Sequence, residues 1–364
     1  MPTLKVGFLY GYLRLYTKPM PASPTNDIYY AVAHRSQDEI DTIKTRYQDF
    51  NTNLIPIILD KTLGLKATAW EQSSSWGSAH VIYYVQIEGR SDKLVLRANT
   101  GFSTQPETNM QIEKLVTDKV LAAGIPTNKI LLVDLSRTLV PFDYQIEEML
   151  LGQDLEDHFT GSQANYDAMS YALGQYIAQY HAITLPKFGL FDPNAAEQGK
   201  LVGTKNSFYD YITVCLESDM RYLVEAKVIT AIVAQQIHEL FQRHKAIINI
   251  PQGVLLHHDL ADHNLMFKDN TLTAIFDWET AVVGDPVLDL ASCPTWRTHY
   301  PRQEQLLAGY RSIAALPSDF DAKMNIYRLR TMLWKMVYAI RANILNEARI
   351  AKFQESLKPF NLSS

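Results

Sequence analysis

The residues best suited to chemistry lie in one stretch, residues 255–290. His257, Asp259 and Asn264 form the pattern H-x-D-x-x-x-x-N, and Asp277 follows on the far side of a turn. Phosphoryl transfer needs such a set, because a carboxylate must lie beside the attacking hydroxyl and oxygen ligands must hold the Mg²⁺ ions that bridge the phosphates. We predict Asp259 as the catalytic carboxylate and Asn264 and Asp277 as Mg²⁺ ligands. We place His257 in the same catalytic motif, where it is better suited to holding the loop than to donating a proton.

A β-hairpin is predicted to bring these residues together. The apolar runs Leu265–Phe267 and Leu272–Phe276 flank residues 268–270, which read Lys-Asp-Asn and signal a turn. Such a hairpin would place Asn264 at one end and Asp277 at the other, back beside the catalytic carboxylate.

This segment resembles the aminoglycoside phosphotransferase family, which are small-molecule kinases with a protein-kinase-like fold. The family patterns H-G-D-x-x-x-x-N, I-D-W-E and G-D-P-x-x-D-L-A are similar to the residues that begin at His257, Phe276 and Gly284 here. One departure is His258, where the family usually has a small residue. The resemblance implies ATP as the phosphate donor, with GTP as a possible substitute, and Mg²⁺ as the metal. It also implies that Asp289 braces the catalytic loop.

In the first lobe, the resemblance implies a phosphate site around Arg97. The segment Leu94–Asn99 places Arg97 where most family members carry a phosphate-binding lysine, and it is similar to the corresponding strand of the hygromycin phosphotransferase branch. An arginine still offers a fixed positive charge to the phosphates, with fork geometry. Glu113, early in the following helix, is the natural partner for an ion pair with Arg97.

Two further segments are expected to contact the nucleotide. Ser74 and Ser75 lie in the loop between the first two predicted strands, where hydroxyls and backbone amides can cradle phosphates. The segment Tyr144–Gly152 resembles the family's hinge. Main-chain groups near Met149 and Leu151 would therefore meet the purine edge.

The elements around these residues predict an α+β, protein-kinase-like fold with two lobes. Short β-rich runs and one stretch of helical spacing predict an N-lobe with a five-stranded antiparallel sheet and a helix; the segments are Ala67–Gln72, Val81–Ile87, Leu94–Ala98, Met110–Ala123 (the helix), Ile130–Val133 and Tyr144–Leu150. The C-lobe is predicted to be mostly helical, with the catalytic-loop hairpin; its main helices are Tyr166–Ile183, Phe208–Ala226, Val228–His244, Arg302–Ile313 and a long amphipathic helix near the end. We expect an N-terminal arm with helices over residues 1–65, a nucleotide-binding N-lobe over 66–151 and a helical C-lobe with the acceptor site over 152–364.

Composition places this chain among ordinary globular enzymes. It has 364 residues, of which 47% are hydrophobic and 20% charged. Two cysteines give no disulfide framework and no zinc spacing, which fits a reducing cytoplasm. We expect a monomer or homodimer that neither spans a membrane, since no apolar run is long enough, nor binds nucleic acid.

The acceptor is expected to be a small hydroxylated molecule, and its identity is open. The resemblance makes a hygromycin-like aminoglycoside or aminocyclitol the first expectation, while choline, homoserine, a sugar or another natural product compete, because fold similarity does not fix function. The net charge of −5 suits a cationic acceptor. Four acidic side chains are expected near the cleft, where they would meet ammonium groups: Asp157, Glu217, Asp219 and Glu279.

Two other classes of protein are considered. A metallohydrolase could use the cluster within residues 257–263, which contains three histidines and two aspartates. However, adjacent histidines on a tight loop rarely point at one ion, and this hypothesis leaves Asp277 unexplained. A non-catalytic nucleotide-binding module would be expected to lose Asp259, Asn264 or Asp277, and all are present. Both hypotheses are therefore weaker than a kinase.

Overall fold

The structure is a computed structural model, and it describes residues 47–48, 50–73, 80–99 and 109–363. Ser74 and Ser75, predicted to contact phosphate, lie outside the described residues, as does most of the predicted N-terminal arm. Within the described part, no helix combines the length and the apolar character needed to cross a membrane.

The N-lobe is built on a five-stranded sheet, as predicted. Its strands are β1 (Ala67–Gln72), β2 (Val81–Ile87), β3 (Leu94–Asn99), β4 (Ile130–Asp134) and β5 (Asp143–Glu148). Their order in the sheet is β1-β2-β3-β5-β4, and every neighbouring pair is antiparallel. Helix α1 (Leu54–Leu63) precedes the sheet and ends at Gly64, whose φ of 65° suits glycine. Helix α2 (Asn109–Ala122) lies between β3 and β4 along the chain.

The C-lobe is mostly helical, which also agrees with the prediction. Its helices are α3 (Leu155–His158), α4 (Gln163–Tyr180), α5 (Pro193–Glu197), α6 (Phe208–Ile212), α7 (Leu216–Glu225), α8 (Ala231–Arg243), α9 (Lys245–Ile248), α10 (Val287–Ser292), α11 (Gln303–Arg311), α12 (Phe320–Arg341) and α13 (Glu347–Leu357). Short 3₁₀ turns cover Asp262–Asn264, Trp278–Thr280, Cys293–Thr295 and Lys358–Phe360. The strands are β6 (Gln153–Asp154), β7 (Thr184–Leu185), β8 (Phe188–Phe191), β9 (Gly203–Lys205), β10 (Gly253–Leu256), β11 (Leu265–Lys268), β12 (Thr271–Ile275) and β13 (Val282–Gly284).

Two of these strand pairings position the predicted catalytic segment. Strands β11 and β12 form the predicted antiparallel hairpin, in which Leu265 pairs with Ile275. Strand β10 pairs with β13, so that Leu256 lies opposite Val282. The loop after β10 and the turn after β12 are thereby held side by side.

Among the described residues the hydrophobic core forms two clusters, and α2 belongs to the larger one. In the smaller cluster, Ile55 and Leu59 of α1 pack on the N-lobe sheet. In the larger, Ile112 and Val116 of α2 pack with the apolar residues of the C-lobe. Helix α2 lies between two strands of the N-lobe sheet along the chain, yet its apolar face packs with the C-lobe.

Helices α4 and α11 approach each other more closely than side chains normally allow. A Cβ atom on Gly174 would lie 2.0 Å from the Leu306 carbonyl oxygen, and one on Gly309 would lie 1.9 Å from the Tyr171 carbonyl oxygen. Only glycine fits at these two positions, because the clash would be with backbone atoms that cannot rotate away.

The prediction of one helix over Phe208–Ala226 is wrong, because the chain breaks between α6 and α7. Cys215, just before α7, adopts a left-handed conformation with φ of 57°. Arg330 of α12 fills the break: its Nε donates to the Ile212 carbonyl at 2.8 Å, and a terminal nitrogen donates to the Val214 carbonyl. The guanidinium thus satisfies carbonyls that the interrupted helix would otherwise leave unpaired.

Candidate active site

The catalytic loop after β10 is held by the buried carboxylate of Asp289 on α10. Its two oxygens accept the backbone N–H groups of His257 at 2.9 Å and His258 at 2.8 Å. The Tyr180 hydroxyl also donates to Asp289 at 2.8 Å, and His181 Nε2 lies 3.4 Å away. Burial alone would raise the pKa of Asp289, but His181 and the backbone amides outweigh it and lower the pKa below its ordinary value. Asp289 is therefore a charged anchor for the loop, as the sequence indicated.

His257 ties the catalytic loop to the turn that carries Asp277. Its ring is buried and packs at 4.5 Å between centroids against Trp278, which is itself fully buried. His257 Nε2 donates to the Phe276 carbonyl at 2.9 Å, and Nδ1 accepts the Asp259 backbone N–H at 3.3 Å. With both nitrogens used in this way, the imidazole holds the geometry of the loop and leaves proton transfer to another group.

Asp259 and Asn264 meet across the loop. The Asn264 side-chain nitrogen donates to the Asp259 carbonyl at 2.8 Å and to Asp259 Oδ2 at 3.2 Å. The backbone carbonyl of Asn264 accepts the Phe276 N–H at 3.0 Å. Asp259 Oδ1 is buried and has no hydrogen-bond partner among the described residues. One carboxylate oxygen of Asp259 is therefore left to accept a proton from another molecule.

Asp277 lies beside Arg97 at the junction of the two lobes. Its backbone is left-handed, with φ of 66°, a conformation that aspartate tolerates better than most residues. An Arg97 terminal nitrogen lies 3.3 Å from Asp277 Oδ1. Burial, and next the charge of Glu279, raise the pKa of Asp277, while Arg97 opposes them. The site thus holds more negative charge than Arg97 neutralises, which suits a cation.

Arg97 makes the predicted ion pair with Glu113. One Arg97 nitrogen lies 3.0 Å and 2.8 Å from the two Glu113 oxygens, and both side chains are buried. Burial raises the pKa of Glu113 to about 8, although Arg97 pulls it down. The second Arg97 nitrogen donates to Glu279 at 2.7 Å, and His80 Nε2 lies 2.7 Å from the same Glu279 oxygen. The sequence predicted Glu279 near the cleft as a partner for ammonium groups, and it gave no signal for His80.

The predicted hinge lies at the lobe junction beside a cavity of about 420 Å³. Met149 and Leu151 line this cavity and are exposed. The Met149 N–H donates to the Lys93 carbonyl at 3.4 Å, and the Leu151 carbonyl accepts the Thr273 hydroxyl at 3.0 Å. These internal bonds already engage the two main-chain groups, so the purine contact stays a prediction.

The four acidic side chains expected near the cleft lie in different surroundings. Asp219 is fully buried in an ion pair with Arg330 at 2.9 Å, and Glu279 is engaged by Arg97. Asp157 on α3 and Glu217 on α7 are exposed. Two of the four carboxylates expected near the cleft are thus paired with arginines of α12 and β3, which net charge alone does not predict.

The three histidines of the cluster 257–263 face different partners. His257 binds the backbone of the next turn, His258 Nδ1 lies 3.4 Å from the Tyr211 hydroxyl, and His263 Nδ1 lies 2.8 Å from Glu156. Burial lowers the pKa of His258 to about 4, which keeps it neutral. Among the described residues, no group of three or more His, Cys, Asp or Glu is arranged to hold a metal ion. The geometry therefore gives the metallohydrolase hypothesis no support.

Lys335 of α12 is a residue near Asp259 that the sequence analysis did not identify. Its ammonium lies 2.6 Å from the Thr295 hydroxyl and 3.2 Å from the centre of the Trp296 ring, and it interacts electrostatically with Asp259. Burial is the main cause that lowers the pKa of Lys335 well below its ordinary value. A single lysine within the apolar run of an amphipathic helix was the available signal.

The two-lobed fold and the set of Asp259, Asn264 and Asp277 at the lobe junction define a kinase-like phosphotransferase. The chain belongs to the phosphotransferase enzyme family, abbreviated APH, whose family model matches residues 74–320. This confirms both the resemblance and the predicted class of enzyme.

One relative in sequence and two solved structures are similar to this chain. Probable ketoamine kinase YniA from Escherichia coli (strain K12) is 29% identical over 167 residues, which cover 45% of this chain and 56% of that protein, so the match spans little more than half of the relative. A thermostable mutant of aminoglycoside phosphotransferase APH(4)-Ia, in a ternary complex with AMP-PNP and hygromycin B, is similar in structure, with a TM-score of 0.62, 19% identity and coverage of 84% of this chain and 98% of that chain. A putative fructosamine-3-kinase from Thermobifida fusca YX-ER1 has a TM-score of 0.61 and 14% identity, covering 85% and 100% of the respective chains. At these identities the structural likeness shows the fold, and it confirms the predicted one.

Proposed function

We propose that this protein transfers the γ-phosphate of ATP to a hydroxyl group of a small molecule. The observation that carries the proposal is Oδ1 of Asp259, which is buried and has no hydrogen-bond partner in the described part of the chain, in a carboxylate that Asn264 orients through Oδ2. A hydroxyl that donates to Oδ1 would be oriented for attack, and the carboxylate would take its proton as the bond to phosphorus forms. Residues 66–151 would bind the nucleotide and residues 152–364 would supply the catalytic loop and the acceptor site.

The donor set fits Mg²⁺. Asn264 commits its side-chain nitrogen to Asp259, which leaves Oδ1 as its metal-binding atom, and Asp277 supplies a carboxylate in a neighbourhood with excess negative charge. Mg²⁺ prefers such oxygen ligands and uses one or two carboxylates. When bound, the metal would neutralise charge on the phosphates. For Arg97 to contact phosphate, it would have to exchange its bond to Asp277 or Glu279 for one to the nucleotide, while Glu113 keeps its place on α2.

The identity of the acceptor is the more specific part of the proposal. Ketoamines and aminoglycosides are the first compounds to test, because relatives named for these substrates share the family or the fold. The acidic side chains expected near the cleft were one reason to expect a hygromycin-like, cationic acceptor. That reason is weaker, because Asp219 and Glu279 are paired with arginines.

A substitution at Asp259 tests the proposal. Wild type, Asp259→Asn and Asp259→Ala are assayed for ADP release against a panel of hydroxylated compounds, with ATP and GTP as donors. We expect turnover of any accepted compound to fall at least ~10²-fold in both variants, the lower end for a positioned base, with Mg²⁺-ATP binding retained. The matched control is Asp321→Asn, which removes an exposed carboxylate from α12. Near-normal turnover in Asp259→Ala would reject the proposed chemistry.

A further inference from the structure

A cavity of about 410 Å³ lies in the C-lobe among the Cys293–Thr295 turn, the start of α11, and helices α12 and α13. Its charged lining consists of Arg302, Arg328, Lys352 and Glu355. Arg302 is paired with Asp262. The two other cations still outweigh the one carboxylate, so the wall of the cavity is positive. The volume is that of a site for a small ligand or for part of one.

Two guanidinium groups in this wall have spare donors. The Nε atoms of Arg302 and Arg328 are buried and have no hydrogen-bond partner among the described residues. Arg302 is 3% exposed; one of its terminal nitrogens binds both Asp262 and the Tyr166 hydroxyl, and the other lies 3.7 Å from the Cys293 sulfur. A buried N–H group without an acceptor is unfavourable, so a ligand oxygen in the cavity would stabilise both side chains.

The positive charge of Arg328 is also under-compensated. Its terminal nitrogen donates to the neutral Gln303 side chain at 2.8 Å. Burial lowers the pKa of Arg328 by more than the charge of Glu355 raises it. An anion is the ligand that would correct this imbalance, and the arginine fork matches a carboxylate or a phosphate.

Residues on one face of α12 link the cavity lining to the catalytic loop. Arg328, Met332 and Lys335 follow at helical spacing and therefore lie on the same face, and the first two line the cavity. Lys335 contacts the cavity lining, since its ammonium lies 2.6 Å from the Thr295 hydroxyl, and the charge of Asp259 acts on it from the catalytic side by raising its pKa. Arg302 reaches the catalytic loop as well, through its ion pair with Asp262. A ligand in the cavity is thus held by residues that also contact or face the catalytic loop.

We infer that this cavity binds an anionic group of the acceptor molecule, a carboxylate or a phosphate, with Lys335 between that group and the hydroxyl that approaches Asp259. The inference rests on the proposed function, because it assigns the charge of the acceptor for that reaction. It replaces the cationic acceptor expected from net charge with an anionic one.

A binding experiment tests the cavity without knowledge of the acceptor. Thermal unfolding of the full chain without nucleotide is measured in inorganic phosphate and in acetate, against chloride at matched ionic strength. Binding to the folded state raises the midpoint. We expect one of the two anions to raise the midpoint of wild type and of Arg311→Gln, an exposed control on α11, with the shift lost in Arg328→Gln and partly kept in Arg328→Lys. An equal shift in Arg328→Gln and wild type, or no shift beyond chloride, overturns the inference whatever the kinase assay shows.

A kinetic experiment separates this inference from the proposed function. Matched pairs of hydroxylated compounds are offered with ATP: hydroxy acids and their amides, sugar phosphates and their free sugars, and aminoglycosides. We expect the anionic member of a pair to be preferred, and Arg328→Gln to raise its KM at least ~10-fold with kcat little changed, as expected for a lost charge-assisted bond. Efficient transfer to neutral or cationic compounds, with KM unaffected by Arg328→Gln, overturns the anionic acceptor and leaves the kinase proposal standing. Transfer that does not depend on Asp259 overturns the kinase proposal instead.

Discussion

Replacing Asp289 with asparagine should both destabilise the fold and slow catalysis. The carboxylate accepts two backbone N–H groups of the catalytic loop and the Tyr180 hydroxyl, and it is fully buried. In Asp289→Asn one oxygen becomes an NH₂ group, which cannot accept a hydrogen bond and would face the N–H of His257 or His258. The loss of one bond to a charged group costs about 1.5–3 kcal/mol, and the buried N–H left unpaired adds about 1–3 kcal/mol. We therefore expect the free energy of unfolding to fall by about 2.5–6 kcal/mol.

Urea unfolding followed by tryptophan fluorescence measures this loss, with Asp321→Asn as the exposed control. Because the pKa of Asp289 is lowered in the folded state, its contribution is present above the ordinary aspartate pKa of 3.8 and is lost as the pH falls below that value. The gap between wild type and Asp289→Asn should accordingly shrink in acid. The loop would also shift, and a displacement of about 1 Å can cost ~10²-fold in rate. A loss below about 1 kcal/mol, or a gap that is constant with pH, would refute this account of the anchor.

Four further outcomes are expected. Asp277→Ala should abolish Mg²⁺-dependent ATP binding in calorimetry, and unchanged binding would argue against Asp277 as a ligand. Arg97→Ala should raise the KM for ATP far more than Arg97→Lys, since lysine keeps the charge but not the fork; a wild-type KM in the alanine variant would contradict this. Burial lowers the pKa of His263, but the hydrogen bond to Glu156, followed by the charge of Asp259, outweighs burial and raises the pKa above 6.5. Glu156 must also be ionised, so the pair stabilises the fold fully between the ordinary glutamate pKa of 4.5 and pH 6.5, and less as the pH rises past the raised pKa of His263. Thermal midpoints of Glu156→Gln should lack that alkaline loss, and a parallel pH profile would count against the pair. Gly309→Ala should lower the free energy of unfolding by about 3 kcal/mol, because the new methyl group meets backbone; a neutral result would show that α4 and α11 can separate.

Local patterns were sufficient to predict much of the fold. Strands β1 and β2 begin and end where the β-rich runs do, and the turn at 268–270 correctly predicted the hairpin. The pairing of Arg97 with Glu113 followed from the resemblance, and both residues meet as expected. These features depend on short spacings or on one continuous motif, so they can be predicted from the sequence alone.

Features that depend on distant partners could not be predicted in this way. The break at Cys215 has no glycine or proline to mark it, and the group that stabilises it, Arg330, comes from α12. Asp219 was expected to be available to a substrate, but it is paired with the same arginine. The position of Lys335 next to the catalytic loop likewise depends on how α12 packs, which a periodic pattern does not specify.

The glycine contact between α4 and α11 has a consequence for how the protein opens. Because the helix backbones are in direct contact at Gly174 and Gly309, we expect the two helices to open together as one cooperative unit. Helix α4 ends at Tyr180, whose hydroxyl binds the same carboxylate as the His257 amide. In native-state hydrogen exchange, the amides of this helix pair and of the catalytic loop should therefore become accessible together and slowly, whereas the exposed strand Ala67–Gln72 should exchange early.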